Sequence, residues 1–212
     1  MTALNPRSTL VLASGGVETA TLLHKAAAAG DSVRALFMDY GQRPAAMERL
    51  GAAAQTRATG AIWETLDMAA VGQAFQGDSE RQYHVPLPHR NLVALSLGLS
   101  LADKRAVDRL WIGLTADDGT ASSSASASFF QQFRQLAAGL GPISVEAPLL
   151  THTKSQVVRH GSELGVAFAH TYTCLLGYAQ PCGQCPQCRK RAAAFAAAGL
   201  ADPPCQLANG GV

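Results

Sequence analysis

The sequence predicts an α/β fold: a parallel sheet with helices on both faces, Rossmann-type in its layering, followed by a small C-terminal helical segment. Three observations predict it. Short apolar runs alternate with helical stretches, several of them alanine-rich, which is the signature of strand–helix–strand units with right-handed crossovers. The first apolar run, Leu10-Val11-Leu12-Ala13, passes straight into Ser14-Gly15-Gly16 and then into a helix-compatible segment. A buried strand, a glycine turn and a helix start make an anion site, because glycine lets the backbone approach a phosphate and the helix-start N–H groups point at it. Finally, four of the five cysteines fall between Cys174 and Cys188, marking a separate module. The expected division is residues 1–165 for the α/β domain and 166–212 for the cysteine segment.

The elements follow in order. Leu10–Ala13 is the first strand and residues 17–29 the first helix, which Gly30 is placed to stop. Val33–Met38 is a second, parallel strand ending in Asp39-Tyr40-Gly41-Gln42-Arg43, with Pro44 at a helix start. Ala46–Thr59 reads as helix and Ala61–Leu66 as a third strand. Residues 67–84 read as loop or short helices, and residues 84–91 are extended by two prolines. Leu92–Asp103 is largely apolar, so a mostly buried helix is expected, with Asn91 as a possible N-cap. Arg109–Leu114 is a strand. The small-residue run from Thr120 to Ser128 has no hydrophobic period and reads as mobile. Phe129–Leu140 reads as helix, Ile143–Ala147 as a short strand, and Lys154–Leu164 as a helix closed by Gly165. The alanine runs Ala192–Ala194 and Ala196–Ala198 also favour helix.

Composition sets the bounds. A chain of 212 residues with 48% hydrophobic and 15% charged residues suits one globular domain with a small appendage. The net charge of +2 is too weak to argue for nucleic acid or a membrane surface. No segment approaches the roughly 18 apolar residues of a membrane span. The N-terminal stretch, with one arginine and a short apolar run ending in a glycine turn, reads as a strand and not as a signal peptide.

The glycine turn is neither a Walker loop, which ends in Gly-Lys-Ser/Thr, nor the G-x-G-x-x-G dinucleotide fingerprint. It resembles the pyrophosphate loop of the ATP-pyrophosphatase group, S-G-G-x-D-S, with Glu18 in place of Asp and Thr19 in place of Ser. Both changes keep the chemical type. Glu18 adds a methylene, so an ion it helps hold sits differently. Thr19 and Thr21 add hydroxyl donors. A plain strand–turn–helix of any α/β protein is the alternative.

Cys174, Cys182, Cys185 and Cys188 lie in T-C-L-L-G-Y-A-Q-P-C-G-Q-C-P-Q-C. Three thiols two residues apart in succession can face one centre, and the earlier fourth can complete a tetrahedron. Four sulfurs with no open position describe a structural zinc site. An iron–sulfur cluster, a disulfide pair and idle thiols are the alternatives. Clustered thiols also suit a reducing, cytoplasmic compartment. Cys205 stands apart, and Arg189-Lys190-Arg191 reads as a solvated helix face.

The ordered set of motifs resembles the 7-cyano-7-deazaguanine synthase (QueC) family over nearly the whole chain. Ser14-Gly15-Gly16, Asp39-Tyr40-Gly41-Gln42-Arg43, Val85-Pro86 with Arg90-Asn91, Ile112-Gly113 with Asp117, Lys154, Thr171-Tyr172-Thr173-Cys174 and the cysteine run carry it, together with Arg191, Ala194-Phe195, Gly199 and Asp202-Pro203. The resemblance implies an adenine nucleotide α-hydrolase-like fold, and a ligase that turns a carboxylate into a nitrile with ammonia and two ATP, releasing AMP and pyrophosphate. It implies ATP contacts from Ala13 to Leu23 (Ala13, Ser14, Gly15, Gly16, Val17, Glu18, Thr19, Ala20, Thr21, Leu22 and Leu23), from the Leu36–Met38 stretch (Phe37 and Met38) and from Gly113. Lys154, Arg90 and Glu18 become the catalytic candidates, and Gln42, Arg90, Asn91 and Asp117 the substrate-binding ones. Mg²⁺ held by Glu18, with Asp117, would neutralise pyrophosphate. A homodimer is also implied.

The chain departs from the family pattern after Asp117. An aromatic and charged stretch gives way to Asp118-Gly119-Thr120 and the serine–alanine run, which offers no arginine for bidentate recognition. The expected acid is therefore 7-carboxy-7-deazaguanine or, given the departure, a different acid of a specialised pathway in its place or beside it. Three rivals remain: an amide synthetase that stops halfway, a non-catalytic nucleotide-binding relative, and a tRNA-modifying enzyme. The last fits worst, because the cysteines are spaced for a closed metal site and the net charge is small.

Overall fold

The computed structural model describes residues 7–77, 85–118 and 122–207. Five strands form one parallel sheet: β1 (Ser8–Leu12), β2 (Ser32–Asp39), β3 (Ile62–Asp67), β4 (Arg109–Trp111) and β5 (Ser144–Glu146). Their spatial order is β3-β2-β1-β4-β5. The chain winds outward from β1 through β2 to β3, then returns to the other side of β1 for β4 and β5. Strand order therefore reverses between β1 and β4. At such a point the loops after neighbouring strands splay apart and leave a crevice at the carboxyl edge.

The residue pattern of the strands explains the layers. Successive side chains alternate across a strand. Val11, Ala35 and Phe37 share one core with Val17, Ala20 and Leu23 of α1 (Val17–Ala28) and Ala52 of α2 (Ala45–Thr59). Val157 and Val158 of α6 (Lys154–Glu163) and Ala194 and Phe195 of α7 (Pro186–Ala198) complete that layer. Leu10, Leu12 and Leu36 face the other way, onto Leu95 and Ala102 of α4 (Arg90–Lys104) and Phe130, Phe133 and Ala137 of α5 (Ala127–Ala138). Helices thus cover both faces, as the strand–helix alternation predicts. No helix among the described residues is long and apolar enough to cross a membrane.

Three local expectations are corrected. Helix α4 is not mostly buried: it presents one stripe, Leu95, Gly98 and Ala102, to the sheet, and Leu92 is 42% exposed. Apolar composition there exceeds what one face of a helix can bury. Asn91 does not cap α4. The residue before the helix is His89, with a left-handed φ of 49°, and the Asn91 side-chain amide donates to the Ser124 carbonyl at 3.1 Å. The serine–alanine run is folded where it is described. Ser123–Ala125 form a single 3₁₀ turn with Ser124 and Ala125 buried, and Ser126 caps α5 by accepting the Phe129 N–H at 3.1 Å. Hydroxyls that bond the local backbone replaced the missing hydrophobic period. Residues 119–121 of that run, and 78–84 of the expected loop, lie outside the described residues; α3 (Ala69–Ala74) is one of the expected short helices.

Candidate functional site

The turn after β1 requires the freedom of Gly15 and the helix behind it. Gly15 has a φ of +76°, which favours glycine, and a Cβ built there would lie 2.3 Å from the Glu48 carbonyl oxygen and 2.8 Å from the Ala52 nitrogen. The turn is thereby pressed against α2. Gly16 caps α1 without a side chain, so the first N–H groups of the helix are presented by backbone alone. The Thr19 hydroxyl lies 3.3 Å from the Gly16 carbonyl and 3.5 Å from the Ser14 hydroxyl. Thr21 does not join this group: its hydroxyl is buried and donates to the Val17 carbonyl at 2.9 Å. A hydroxyl two residues further along a helix faces a different side. Ala13, Ala20, Leu22 and Leu23 are core residues that anchor the strand and helix.

An ion pair closes the other side of the crevice. Glu18, in the first turn of α1, meets Lys154, the first residue of α6, at 2.7 Å. Both side chains are largely buried, 15% and 13% exposed. Burial alone would push the Glu18 carboxyl up, but the charge and hydrogen bond of Lys154, helped by Arg191, hold it below its usual value. Burial likewise works against the Lys154 ammonium, and Glu18 outweighs it and raises the lysine. The start of α6 is fixed twice: Thr153 and Gln156 form a reciprocal capping box, and Asp117 accepts the Lys154 backbone N–H at 2.7 Å. Asp118 folds back on the same loop, accepting from the Thr115 N–H at 2.9 Å and its hydroxyl at 2.8 Å. Gly113 brings this loop onto α1, since a Cβ there would come 3.2 Å from Glu18 Cβ and 3.3 Å from Thr19 Cγ2. Strand β4 ends at Trp111, short of the expected Leu114, with one more ladder bond from the Ile112 N–H to the Glu146 carbonyl at 3.1 Å.

A second polar group lies at the carboxyl end of β2. Asp39 accepts the Gly41 N–H at 3.1 Å and meets Arg49 at 3.4 Å. Gln42 is buried and fully occupied: it accepts the Tyr40 N–H and donates to the Met38 carbonyl and to Glu48, the last at 2.9 Å. Burial pushes the Glu48 carboxyl up to about 7, against the pull of the Gln42 hydrogen bond and the Arg90 charge. The Arg90 charge also reaches Tyr40, whose phenol burial drives well above its usual value. Leu36 and Phe37 have their side chains sealed in the core, Phe37 stacked on Trp63 at 6.0 Å, and Met38 packs half-buried against the core that holds Leu10 and Leu36, so these side chains do not offer the expected adenine contacts.

The structure thus brings Ser14, Gly15, Gly16, Glu18, Thr19, Gly113, Asp117 and Lys154 together at the strand-order reversal. It sets Arg90 with Asp39, Tyr40, Gln42 and Glu48 beside them. Asn91 faces the 3₁₀ turn instead. Glu48 escapes the sequence reading, and Arg191, which carries part of the resemblance, reads there only as a solvated face. Glu48 looks in sequence like any acid in a first helical turn. Arg191 looks like the third member of a solvated basic run, but it turns inward while Arg189 and Lys190 stay exposed. It pairs with Asp202 at 2.9 Å and donates to the Thr171 hydroxyl at 2.7 Å and the Phe168 carbonyl at 3.0 Å.

The thiols of Cys174, Cys182, Cys185 and Cys188 converge, with all four sulfurs within 4.8 Å of one another. Backbone N–H groups of Cys182, Cys185 and Cys188 donate to the sulfurs of Cys174, Cys182 and Cys185 at 3.5, 3.3 and 3.4 Å. Donors aimed at sulfur stabilise thiolate, the form that binds metal. The four residues can therefore hold a metal ion, and Cys205 is not among them.

A family model described as queuosine biosynthesis protein QueC matches residues 8–199. The 7-cyano-7-deazaguanine synthase of Marinobacter nauticus is 32% identical over 92% of this chain and 96% of its own length. That of Thiobacillus denitrificans is 34% identical, with 92% and 96% covered. Among solved structures, the NMN synthetase of Francisella tularensis superposes with a TM-score of 0.55 at 13% identity, covering 93% of this chain and 79% of that one. The NH3-dependent NAD synthetase of Campylobacter jejuni gives 0.53 at 13% identity, with 77% and 66% covered. At these identities the structural likeness speaks for the fold alone.

Proposed function

This chain belongs to the QueC family, and from that premise we propose that it is an ATP-dependent ligase that converts a small carboxylic acid and ammonia to a nitrile. The observation that carries the reading is the Gly15–Gly16 turn at the strand-order reversal, with the Glu18–Lys154 pair beside it. The substrate carboxylate attacks the α-phosphorus of ATP, giving an acyl-adenylate and pyrophosphate. Ammonia displaces AMP to give the amide. A second adenylation, on the amide oxygen, lets that oxygen leave as AMP and the nitrile remains. Both acid oxygens end on AMP, so the atoms balance.

The protein needs to hold reactants in line and to neutralise charge as it develops on pyrophosphate. The N–H groups from Gly16 onward and the Ser14 and Thr19 hydroxyls take the phosphate oxygens. Lys154 supplies a positive charge from the start of α6. Arg90 serves the acid or the adenylate from the neighbouring group. Bound Mg²⁺ would supply further charge neutralisation. Glu18 and Asp117 suit it chemically, since the oxygen that each uses on Lys154 leaves a second carboxylate oxygen for an ion. Four convergent thiolates suit Zn²⁺, a thiophilic ion satisfied by tetrahedral sulfur. In this reading residues 1–165 carry the nucleotide chemistry and 166–212 the metal segment, in a cytoplasmic homodimer.

The acid is 7-carboxy-7-deazaguanine or a different acid of a specialised pathway. The uncharged 3₁₀ turn at Ser123–Ala125, tied to Asn91, favours a different acid, because it offers no cation to a planar base. Incubation with ATP, ammonium and a panel of acids tests this, with AMP, pyrophosphate and product mass followed. A nitrile is lighter than the amide by one water, which separates the full reaction from one halted at the amide. Turnover of the deazaguanine acid alone, at a rate normal for the family, would refute the divergent-substrate reading. Nucleotide binding without acid-dependent AMP formation would refute the ligase.

A further inference from the structure

The phosphate loop is held from behind by the segment that leads into the cysteine module. The Tyr172 N–H donates to the Gly15 carbonyl at 2.8 Å. In a planar trans peptide the carbonyl of one residue and the N–H of the next point in opposite directions. Anchoring the Gly15 carbonyl therefore fixes the direction of the Gly16 N–H. Among the described residues, none accepts a hydrogen bond from that N–H.

Tyr172 is in turn held at three points. Its hydroxyl donates at 2.7 Å to the Tyr178 carbonyl, between Cys174 and Cys182 in the chain. Its ring is buried with Met47 of α2, Cys174, Cys188 and Leu207. Its neighbour Thr171 is gripped by Arg191 through the hydroxyl at 2.7 Å, and Arg191 lies one turn along α7 from Cys188, with Cys185 as that helix's N-cap. An unbroken path of bonded groups runs from the four thiols through Arg191 and Tyr172 to the loop peptide. Gly51 of α2 completes the contact: a Cβ there would stand 3.0 Å from the Gly15 carbonyl oxygen and 3.4 Å from the Tyr172 nitrogen.

We propose that Arg191 and the Thr171–Tyr172 strap position the phosphate loop, so that metal held by the four cysteines sets the affinity for the triphosphate. Arg191 is a positioning residue, acting through Thr171 and Tyr172. This rests on the ATP-binding reading of the loop given above. Loading the thiolates fixes the start of α7 and the Cys174 end of the strap; without it the strap loosens and the Gly16 N–H loses its fixed direction.

The test uses the full chain and a non-hydrolysable ATP analogue with a methylene between its α and β phosphates, titrated by calorimetry. Zinc-loaded protein, chelator-stripped protein and stripped protein given zinc again are compared with zinc-loaded Gly51→Ala, Arg191→Gln and Arg191→Lys. Gly51→Ala wedges into the tether without touching a cysteine. It is expected to keep its zinc and its fold, melting slightly lower, and to bind the analogue about tenfold more weakly, the loss of one well-aligned hydrogen bond's worth. Arg191→Gln is expected to match it, raising KM for ATP more than it lowers kcat. Arg191→Lys keeps the charge that reaches Glu18 but not the guanidinium's grip on Thr171, so it is expected to recover only part of the loss, and full recovery would overturn the strap. Stripped protein is expected to weaken likewise, with faster amide exchange at Tyr172, and to recover with zinc. Zinc-loaded variants that bind the analogue as tightly as wild type overturn the proposal, and if stripping unfolds the chain these variants alone decide. Wild type that binds no analogue overturns the ATP reading as well, whereas binding by wild type with indifferent variants overturns the coupling alone.

Discussion

Removing the Lys154 ammonium tests the electrostatics of the crevice. Lys154→Met keeps the length and apolar stem of the side chain but leaves the Glu18 carboxylate buried without its partner. Breaking a buried pair from one side costs about 3–5 kcal/mol, because the remaining charge is uncompensated. The 15% exposure of Glu18 puts the expected loss at the lower end, ~3 kcal/mol. At about 2–4 °C per kcal/mol for a chain of this size, the melting temperature falls by roughly 6–12 °C. The sign of the pH dependence is the sharper readout. In the wild type the Glu18 carboxyl is held down, so its stabilisation is present above the unfolded value of 4.5 and is lost as pH falls through the folded value. Lys154 is raised, so its share is complete below 10.5 and is lost as pH rises through the folded value. In Lys154→Met, burial dominates and lifts the Glu18 carboxyl, so the deficit against wild type shrinks as pH is lowered from 8 towards 5. Urea unfolding across that range measures it. The double variant Glu18→Gln/Lys154→Met is expected near wild-type stability. A single variant that loses less than about 1 kcal/mol, with no narrowing of the deficit in acid, would refute a buried, coupled pair.

Other outcomes follow from the same geometry. Glu48→Gln keeps the hydrogen bond to Gln42 but cannot ionise. Because burial raises Glu48 to about 7, the folded protein holds that proton more firmly between pH 4.5 and 7, and wild-type stability declines as pH rises through the window. The variant is expected to gain on the order of 3 kcal/mol over wild type at pH 8 and nothing at pH 4, read by urea unfolding. Gly15→Ala combines about 1–2 kcal/mol of left-handed backbone strain with about 1–3 kcal/mol of overpacking against Glu48 and Ala52, and should melt lower and lose ATP-analogue binding. Elemental analysis should find one metal ion per chain, and Cys188→Ser should lose it.

Much of the fold was legible because it is written in local patterns. The apolar runs at Leu10–Ala13 and Val33–Met38, the glycine stops after α1 and α6, and the Ser14-Gly15-Gly16 turn each act over a few residues, and the parallel sheet follows from their order. The cysteine cluster was legible for the same reason. What the sequence hid depends on partners brought from afar. Glu18 and Lys154 carry no mark of their pairing until α1 and α6 pack together. Arg191 is indistinguishable from Arg189 and Lys190 until α7 docks one face on the strap. Thr21 and Thr19 look equivalent until helical phase turns one inward. The serine–alanine run misled because its order comes from side-chain hydroxyls and caps, not from hydrophobic period.

The whole account stands on the glycine turn after β1 as the seat of the departing pyrophosphate. Amide chemical shifts of ¹⁵N-labelled protein, followed while pyrophosphate is titrated in with Mg²⁺, test that most directly. The expected result is saturable shifts of the Gly16, Val17 and Glu18 amides, with Tyr172 moving in step. Saturable binding that leaves those amides in place and moves a different part of the sheet edge would contradict it.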